Sequence, residues 1–283
     1  MILVTGAKGQ LGGDVCAVLS AQGYAFLGVD VDTLDITDET AVAAFFAAHP
    51  DIDSVIHCAA YTAVDKAEDD AERCYAVNVK GTANLAKNAA SRKFLYVSTD
   101  YVFGADGDTP LETDAPKAPA CVYGKTKLLG EEAAMRYCPQ CFIVRTSGVF
   151  GEKNTNFIAT ILRLSETHDT LRVVNDQFGA PTYSRDLAAL LAQMIATERF
   201  GIYHASNTGV CTWAELARLA LALCGKTTTV VPVSTEDYGA KAKRPKNSRF
   251  SFRSLDTAGF SRLPPWEDAV RRYLEKENLL QRG

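Results

Sequence analysis

No stretch of this chain approaches the roughly 20 consecutive apolar residues that a membrane-spanning helix needs, so no membrane partner is expected. Neither sign of charge dominates: 30 Lys and Arg stand against 34 Asp and Glu, a formal net charge of −4. Without an overall basic field, nucleic acid is not an expected partner, although a local cluster can still serve a small anion. A charged leader followed by an apolar segment is missing as well. Met1 runs directly into Ile2-Leu3-Val4, which reads as a first buried strand. Cys138-Pro139-Gln140-Cys141 has no second CxxC near it, which favours a structural pair over a zinc or redox site. The eight cysteines are scattered, and Cys16, Cys58 and Cys224 fall inside apparent core elements. Reduced thiols and a cytoplasmic setting are the natural reading. Internal repeats and low-complexity tracts are absent too.

What remains is an ordinary globular composition, 47% hydrophobic and 23% charged. At 283 residues there is room for one large domain or two closely packed ones. Apolar runs at 2–5, 25–30, 54–58, 93–98 and 141–146 alternate with amphipathic segments at 10–22, 40–48, 71–91 and 123–137. Such alternation predicts a Rossmann-type, doubly wound parallel sheet covered on both faces, with 71–91 as one long helix. After Val149 the rhythm loosens. Segments 156–166, 212–224 and 265–277 read as helices and 171–174 and 229–233 as short strands, while 184–197 and 202–205 return the chain to the sheet. The expected division is an NAD(P)-binding domain over 1–151 plus about 178–208. A smaller interleaved α/β substrate domain takes about 152–177 and 209–283.

Thr5-Gly6-Ala7-Lys8-Gly9-Gln10-Leu11-Gly12 follows the first strand and opens the first helix. Gly6 suits the tight turn, Gly9 the approach of a pyrophosphate and Gly12 close packing of helix on strand. Unpaired N–H groups at the helix start, from Gln10 and Leu11, would meet the phosphates. The spacing is GxxGxxG, and its place at the first strand–helix junction makes it a nucleotide loop more than a structural turn. Asp30 ends the second strand, where a carboxylate binds ribose hydroxyls and favours NADH. Lys8, which can pair with a 2′-phosphate, favours NADPH. Asp35 has a second reading as a helix N-terminal residue.

Tyr123 and Lys127 are four apart and share one helix face. A phenol ordinarily titrates near 10, and an ammonium beside it stabilises the phenolate and can hold the nicotinamide ribose. Thr99 ends a strand in Val97-Ser98-Thr99-Asp100-Tyr101, at the strand edge where an open parallel sheet places its site. Its hydroxyl can bond a substrate carbonyl and tighten as charge develops on the oxygen.

Together the glycine loop, Ser98-Thr99 and YxxxK resemble the extended short-chain dehydrogenases. Ala59-Ala60-Tyr61-Thr62-Ala63-Val64-Asp65, Ser98-Thr99-Asp100-Tyr101-Val102-Phe103, Arg145-Thr146-Ser147, Asp176-Gln177-Phe178-Gly179-Ala180-Pro181-Thr182 and Arg244-Pro245-Lys246-Asn247 narrow this to the dTDP-4-dehydrorhamnose reductase family. The resemblance covers nearly the whole chain. It implies reduction of a 4-keto sugar nucleotide by NADPH or NADH, with Tyr123 as proton donor, Lys127 as its support and Thr99 on the carbonyl. It further implies Val64, Asp100 and Tyr101 in the sugar pocket, Ala59, Ala60 and Tyr61 beside the cofactor, and Asp35 and Ile36 near its adenosine end. Arg244 and Asn247 are candidates for the diphosphate, the other reading being a solvated basic loop. Asn78 resembles the family's relay asparagine or, alternatively, is a helix-bending polar residue.

The related dehydratases resemble this chain at Ser-Thr-Asp but continue with Glu as an acid–base partner; here Tyr101 follows, which favours reduction. Gly148 stands where the family carries a Trp against the sugar, with Phe150 or Phe178 as replacement surfaces. A magnesium site at a dimer interface, carried by some members, has only Asp14 at a matching place and is unsupported. The chain is read as a monomer or homodimer acting on a dTDP-sugar. Competing functions are another nucleotide-sugar reductase or epimerase, and an NADP-binding protein like the regulatory subunits of methionine adenosyltransferase.

Overall fold

The computed structural model describes residues 1–104 and 106–281. Six parallel strands form the central sheet in the order Gly201–His204, Cys141–Thr146, Lys93–Thr99, Ser54–His57, Ile2–Thr5 and Phe26–Val29. Ile2–Thr5 and Ser54–His57 are buried at every position, which only a sheet covered on both faces allows. On one face, Gln10–Ala21 and Ser184–Ile195 pack Val15, Leu19, Leu187 and Leu191 against Ile56, Leu95 and Phe142. On the other, Glu39–Ala48, Thr82–Asn88 and Val122–Tyr137 bring Val42, Phe46, Leu85 and Ala134 onto Leu3, Val55 and Phe94. Segments 184–195 and 201–204 thus return as a covering helix and the sixth strand.

Strand order reverses around Ile2–Thr5. The chain leaves it for Phe26–Val29 on one side and comes back to Ser54–His57 on the other. The loops after Thr5 and His57 therefore diverge and open a crevice at the C-terminal edge of the sheet.

The long helix expected over 71–91 runs without interruption from Ala71 to Asn88, with a π-helical turn, Ala76–Gly81, between Ala71–Tyr75 and Thr82–Asn88. Side-chain contacts surround the π-turn. Asn78 spends its amide on the backbone of Tyr61, accepting from the N–H at 2.8 Å and donating to the carbonyl at 3.2 Å. Thr82 donates back to the Asn78 carbonyl at 2.8 Å, and Gly81 lets Ile36 approach where a Cβ would lie 2.6 Å from its Cγ1. A π-bulge of this kind commonly marks a functional region.

A second apolar cluster gathers Ile158, Leu171, Ala217, Leu221, Val230, Val270 and Leu274. They come from the helices Phe157–Leu164, Trp213–Leu223 and Trp266–Lys276 and the parallel pair Thr170–Val174 and Thr229–Val233. Between this cluster and the main sheet lies a short ribbon of Cys211–Thr212, Phe178–Gly179 and Asn247–Ser248. The helix Trp213–Leu223 is started by a capping box: Glu215 N–H donates to Thr212 Oγ1 at 3.2 Å, and Thr212 N–H donates to the Glu215 carboxylate at 2.7 Å. Replacing Thr212 by Ala is expected to cost about 1 kcal/mol of unfolding free energy in urea, with Thr212→Ser close to the parent.

Candidate active site

The glycine loop is dictated by contact as much as by conformation. Gly6 has φ +69°, and a Cβ on it would sit 2.8 Å from the Ala59 nitrogen. A Cβ on Gly12 would fall 2.1 Å from the Gly6 carbonyl oxygen. Gly9 N–H donates to that same carbonyl at 2.9 Å, and Gly9 caps the helix without any side-chain bond. The first N–H groups of Gln10–Ala21 are thereby left facing the crevice, a ready anion site. Gln10 also carries a buried Nε2 with no protein partner. These residues fit a dinucleotide pyrophosphate, with Leu11 in the same turn and Ala59 and Ala60 across the crevice.

Asp30 accepts from the N–H groups of Lys8 and Val31, each at 2.9 Å, and Lys8 Nζ reaches Asp32 at 2.5 Å. The Asp30 carboxylate thus ties the glycine loop to the end of the second strand. Asp35 accepts from Thr37 N–H at 2.9 Å and Thr37 Oγ1 at 2.7 Å, the turn-forming role, and Ile36 is buried against Gly81. Beneath the loop, His57 bonds Thr5 Oγ1 at 2.7 Å and Thr82 Oγ1 at 3.0 Å. Burial pulls its imidazole down to about 3, so it is neutral and serves as a strut.

Tyr123 stands at the second position of Val122–Tyr137. Gly124 lets that helix begin hard against the preceding turn, where a Cβ would come within 2.3 Å of the Tyr101 carbonyl oxygen. The Tyr101 and Tyr123 rings meet edge to face with centroids 5.4 Å apart. Lys127, one turn further along, is buried; its Nζ donates to the Val97 carbonyl at 2.8 Å and lies 4.0 Å from the Tyr96 ring centroid. Burial pulls the Lys127 ammonium down to about 7, with Glu131 acting the other way.

One expectation is corrected here. The lysine does not bring the phenol toward neutrality, because burial dominates and pushes Tyr123 above its ordinary value, the Thr99 hydroxyl opposing. Tyr123 is therefore held protonated, the state a proton donor requires. Tyr101 is likewise pushed up by burial and by the Asp100 carboxylate.

Thr99 ends the strand Lys93–Thr99, accepting from Tyr101 N–H at 3.2 Å and donating to Asp100 Oδ1 at 3.1 Å. Asp100 Oδ2 accepts from Ser248 at 2.5 Å, and burial pushes this carboxyl up to about 6. Behind Thr99, Tyr123 and Lys127 lies a buried ion pair that the sequence reading missed. Arg145 Nε and Nη2 donate to the two Glu131 oxygens at 2.9 and 2.7 Å, Ser98 donates to Glu131 Oε1 at 2.6 Å, and both charged side chains are 1% exposed. Arg145 Nη1 finishes on the Thr113 carbonyl at 2.8 Å.

A cavity opens beside Thr99, Tyr123 and Lys127, lined by Asp100, Tyr101, Gly148, Phe178, Trp213 and Arg244 among others. Arg244 grips Asp65 with two bonds of 2.6 and 3.1 Å, joining the loop that carries it to the short helix Val64–Ala67. Val64, half-buried, opens that helix, and Tyr61 is held by Asn78 and donates to Asp70 at 3.2 Å. Asn247 is placed differently from its expected role. Its amide is buried, donates to the Thr109 carbonyl at 2.8 Å and accepts from Arg249, so it pins a loop.

Phe150 is also corrected: it stacks on Tyr183 in the second core, with centroids 5.5 Å apart, and gives the cavity no surface. Phe178 does line it. Cys138 is buried and donates to the Ala86 carbonyl at 3.1 Å, the structural role. Asp14 accepts from Ser184 at 2.5 Å, and no group of three or more His, Cys, Asp or Glu is arranged to hold a metal among the described residues.

Two outcomes follow. Glu131→Gln leaves Arg145 buried without its counter-charge and is expected to lose about 3–5 kcal/mol of unfolding free energy, measured in urea. Glu131→Gln combined with Arg145→Met should recover part of that loss. For Asp100 the folded state holds the proton more tightly than the unfolded chain, so its contribution to stability falls as pH rises from about 4 to about 6. Melting temperatures across that range should diverge in favour of Asp100→Asn as pH rises; parallel curves would contradict this.

The profile of the RmlD substrate binding domain family matches residues 1–279. The chain is similar to the spore coat polysaccharide biosynthesis protein SpsK of Bacillus subtilis, 38% identical over 279 residues, covering 98% of each. It is similar to dTDP-4-dehydrorhamnose reductase of Mycolicibacterium smegmatis, 40% identical over 276 residues, covering 95% of this chain and 84% of the other. Among solved structures it is similar to a dTDP-4-dehydrorhamnose reductase from Bacillus anthracis in complex with NADP. That likeness has a TM-score of 0.94 at 37% identity and covers 97% of this chain and 98% of that one.

Proposed function

Because the chain belongs to the RmlD substrate binding domain family, with dTDP-4-dehydrorhamnose reductases among its relatives, we propose that it reduces the 4-keto group of dTDP-4-dehydro-L-rhamnose to give dTDP-L-rhamnose. NADPH or NADH is the hydride donor. The observation that carries this reading is the placing of Tyr123, one helical turn from the buried Lys127 and in edge contact with Tyr101, at the strand end formed by Thr99, between a dinucleotide crevice and a cavity bearing Tyr101 where a dehydratase needs a carboxylate.

When bound, the reduced nicotinamide supplies a hydride to the carbonyl carbon. The Gly6–Gly12 loop holds the pyrophosphate by helix N–H groups, and Lys127 turns its buried Nζ to the ribose. Thr99 bonds the carbonyl oxygen and Tyr123 donates its phenolic proton to it, so carbon gains hydride, oxygen gains a proton and an alcohol results. Tyr101 is a poor base for removing a carbon-bound proton, which separates reduction from elimination of water. Arg244 lies within the cavity and serves the diphosphate, its charge held in place by Asp65.

Dinucleotide binding is assigned to 1–151 and about 178–208 and the sugar nucleotide to about 152–177 and 209–283, although Phe150 and Tyr183 pack into the second cluster. Leu255, Phe260 and Leu263 cross back into the first cluster, which agrees with interleaved units and no clean linker. Eight free cysteines support a reducing, cytoplasmic setting.

The test is a spectrophotometric assay of NADPH and NADH oxidation with dTDP-4-dehydrorhamnose. Tyr123→Phe is expected to keep cofactor affinity and lose about 10²-fold or more in kcat. A variant as fast as the parent would remove Tyr123 from the mechanism.

A further inference from the structure

Trp213 occupies a position in the cavity that no reading of the motifs assigned. It is the first residue of its helix, so the Thr212–Glu215 capping box fixes where its side chain begins. Its Nε1 donates to Gln177 Oε1 at 3.1 Å, and the Phe157 ring supports it from behind with centroids 4.8 Å apart. An indole held at both its polar atom and its ring has little rotational freedom left.

Across from it stands Gly148, at φ +52°, where a Cβ would come 3.3 Å from Trp213 Cη2. The absence of a side chain there leaves the outer edge of the indole open to the cavity. The other aromatic groups lining it are already engaged. Phe178 carries the Arg249 guanidinium 4.3 Å from its ring centroid, and Tyr101 is in edge contact with Tyr123.

We infer that Trp213 is the stacking surface for the substrate, packing against the ring C–H groups and C6 methyl of the deoxy-hexose, with Gly148 clearing the approach. The inference rests on the proposed dTDP-sugar substrate. The sugar and not the nucleobase is assigned to this surface because Asp100 and Tyr101 line the same cavity, and Tyr101 touches the proton donor. A ligand whose carbonyl reaches Tyr123 therefore puts its hexose in the space that Trp213 bounds. A rigid aromatic wall of this type supplies binding that is equal in ground and transition states, so its loss acts on KM.

Turnover of dTDP-4-dehydrorhamnose by the parent enzyme is measured first, and its failure would fall on the substrate assignment alone. Given turnover, Trp213→Ala is expected to raise KM roughly 10-fold with kcat nearly unchanged, and Trp213→Phe to recover most of the loss. Affinity for dTDP-rhamnose should fall by the same factor, while affinities for dTDP and NADPH hold. An unchanged KM, or equal losses for dTDP and dTDP-rhamnose, would overturn the assignment, the latter by making Trp213 a nucleobase platform. Should Trp213→Ala not fold, Trp266→Phe leaves Trp213 as the sole tryptophan of the chain. Its emission should respond to dTDP-rhamnose and not to dTDP, and any other pattern overturns the inference.

Discussion

The buried pair of Arg145 and Glu131 is the constraint on which the placing of Thr99, Tyr123 and Lys127 depends. Arg145 belongs to the strand Cys141–Thr146 and Glu131 to the helix Val122–Tyr137, while Ser98 joins them from Lys93–Thr99. Three elements are thereby fixed at one point, close to where the strands end. Two charges out of water carry a desolvation cost of several kcal/mol each. It is offset here because the guanidinium and carboxylate meet in parallel and their remaining positions go to Ser98 and the Thr113 carbonyl. A helix free to slide by one residue would carry Tyr123 and Lys127 off the face that meets Thr99. Hydrophobic packing alone is non-directional and would tolerate that slip far better.

Burial then decides what each polar group can do. The same desolvation raises Tyr123, lowers Lys127 to about 7 and lifts Asp100 to about 6. Each shift favours the uncharged form, so the dry edge of the sheet presents a phenol with its proton in place. Asn78, Thr82 and His57 serve the same edge from below, their polar atoms spent on one another and on the Tyr61 backbone. The π-helical turn at Ala76–Gly81 is the visible cost of placing Asn78 there.

Much of this was legible in the chain. Continuous apolar runs gave the strands because each is buried on both sides, and the glycine spacing gave the turn because Gly6 and Gly12 leave no room for a Cβ. That Tyr123 and Lys127 share a helix face beside the strand end at Thr99 could be read from spacing and position, both local properties. The long helix over 71–88 was read as one, but the π-turn inside it escaped periodicity because Asn78 bonds a loop 17 residues away. Asn247 and Phe150 were misplaced for a related reason: polarity or aromaticity in a motif does not say which way a side chain faces.

By itself, then, the sequence determined the doubly wound sheet, the glycine turn and the residues proposed for proton transfer, since all three rest on short-range pattern. Tertiary structure alone decided the cavity. Its walls come from residues near 100, 148, 178, 213 and 244, five segments of which three adjoin the ribbon Cys211–Thr212, Phe178–Gly179 and Asn247–Ser248. Whether an open Gly148 means a missing surface or a cleared one depends on Trp213, 65 residues further on, and no local rule couples two positions so distant.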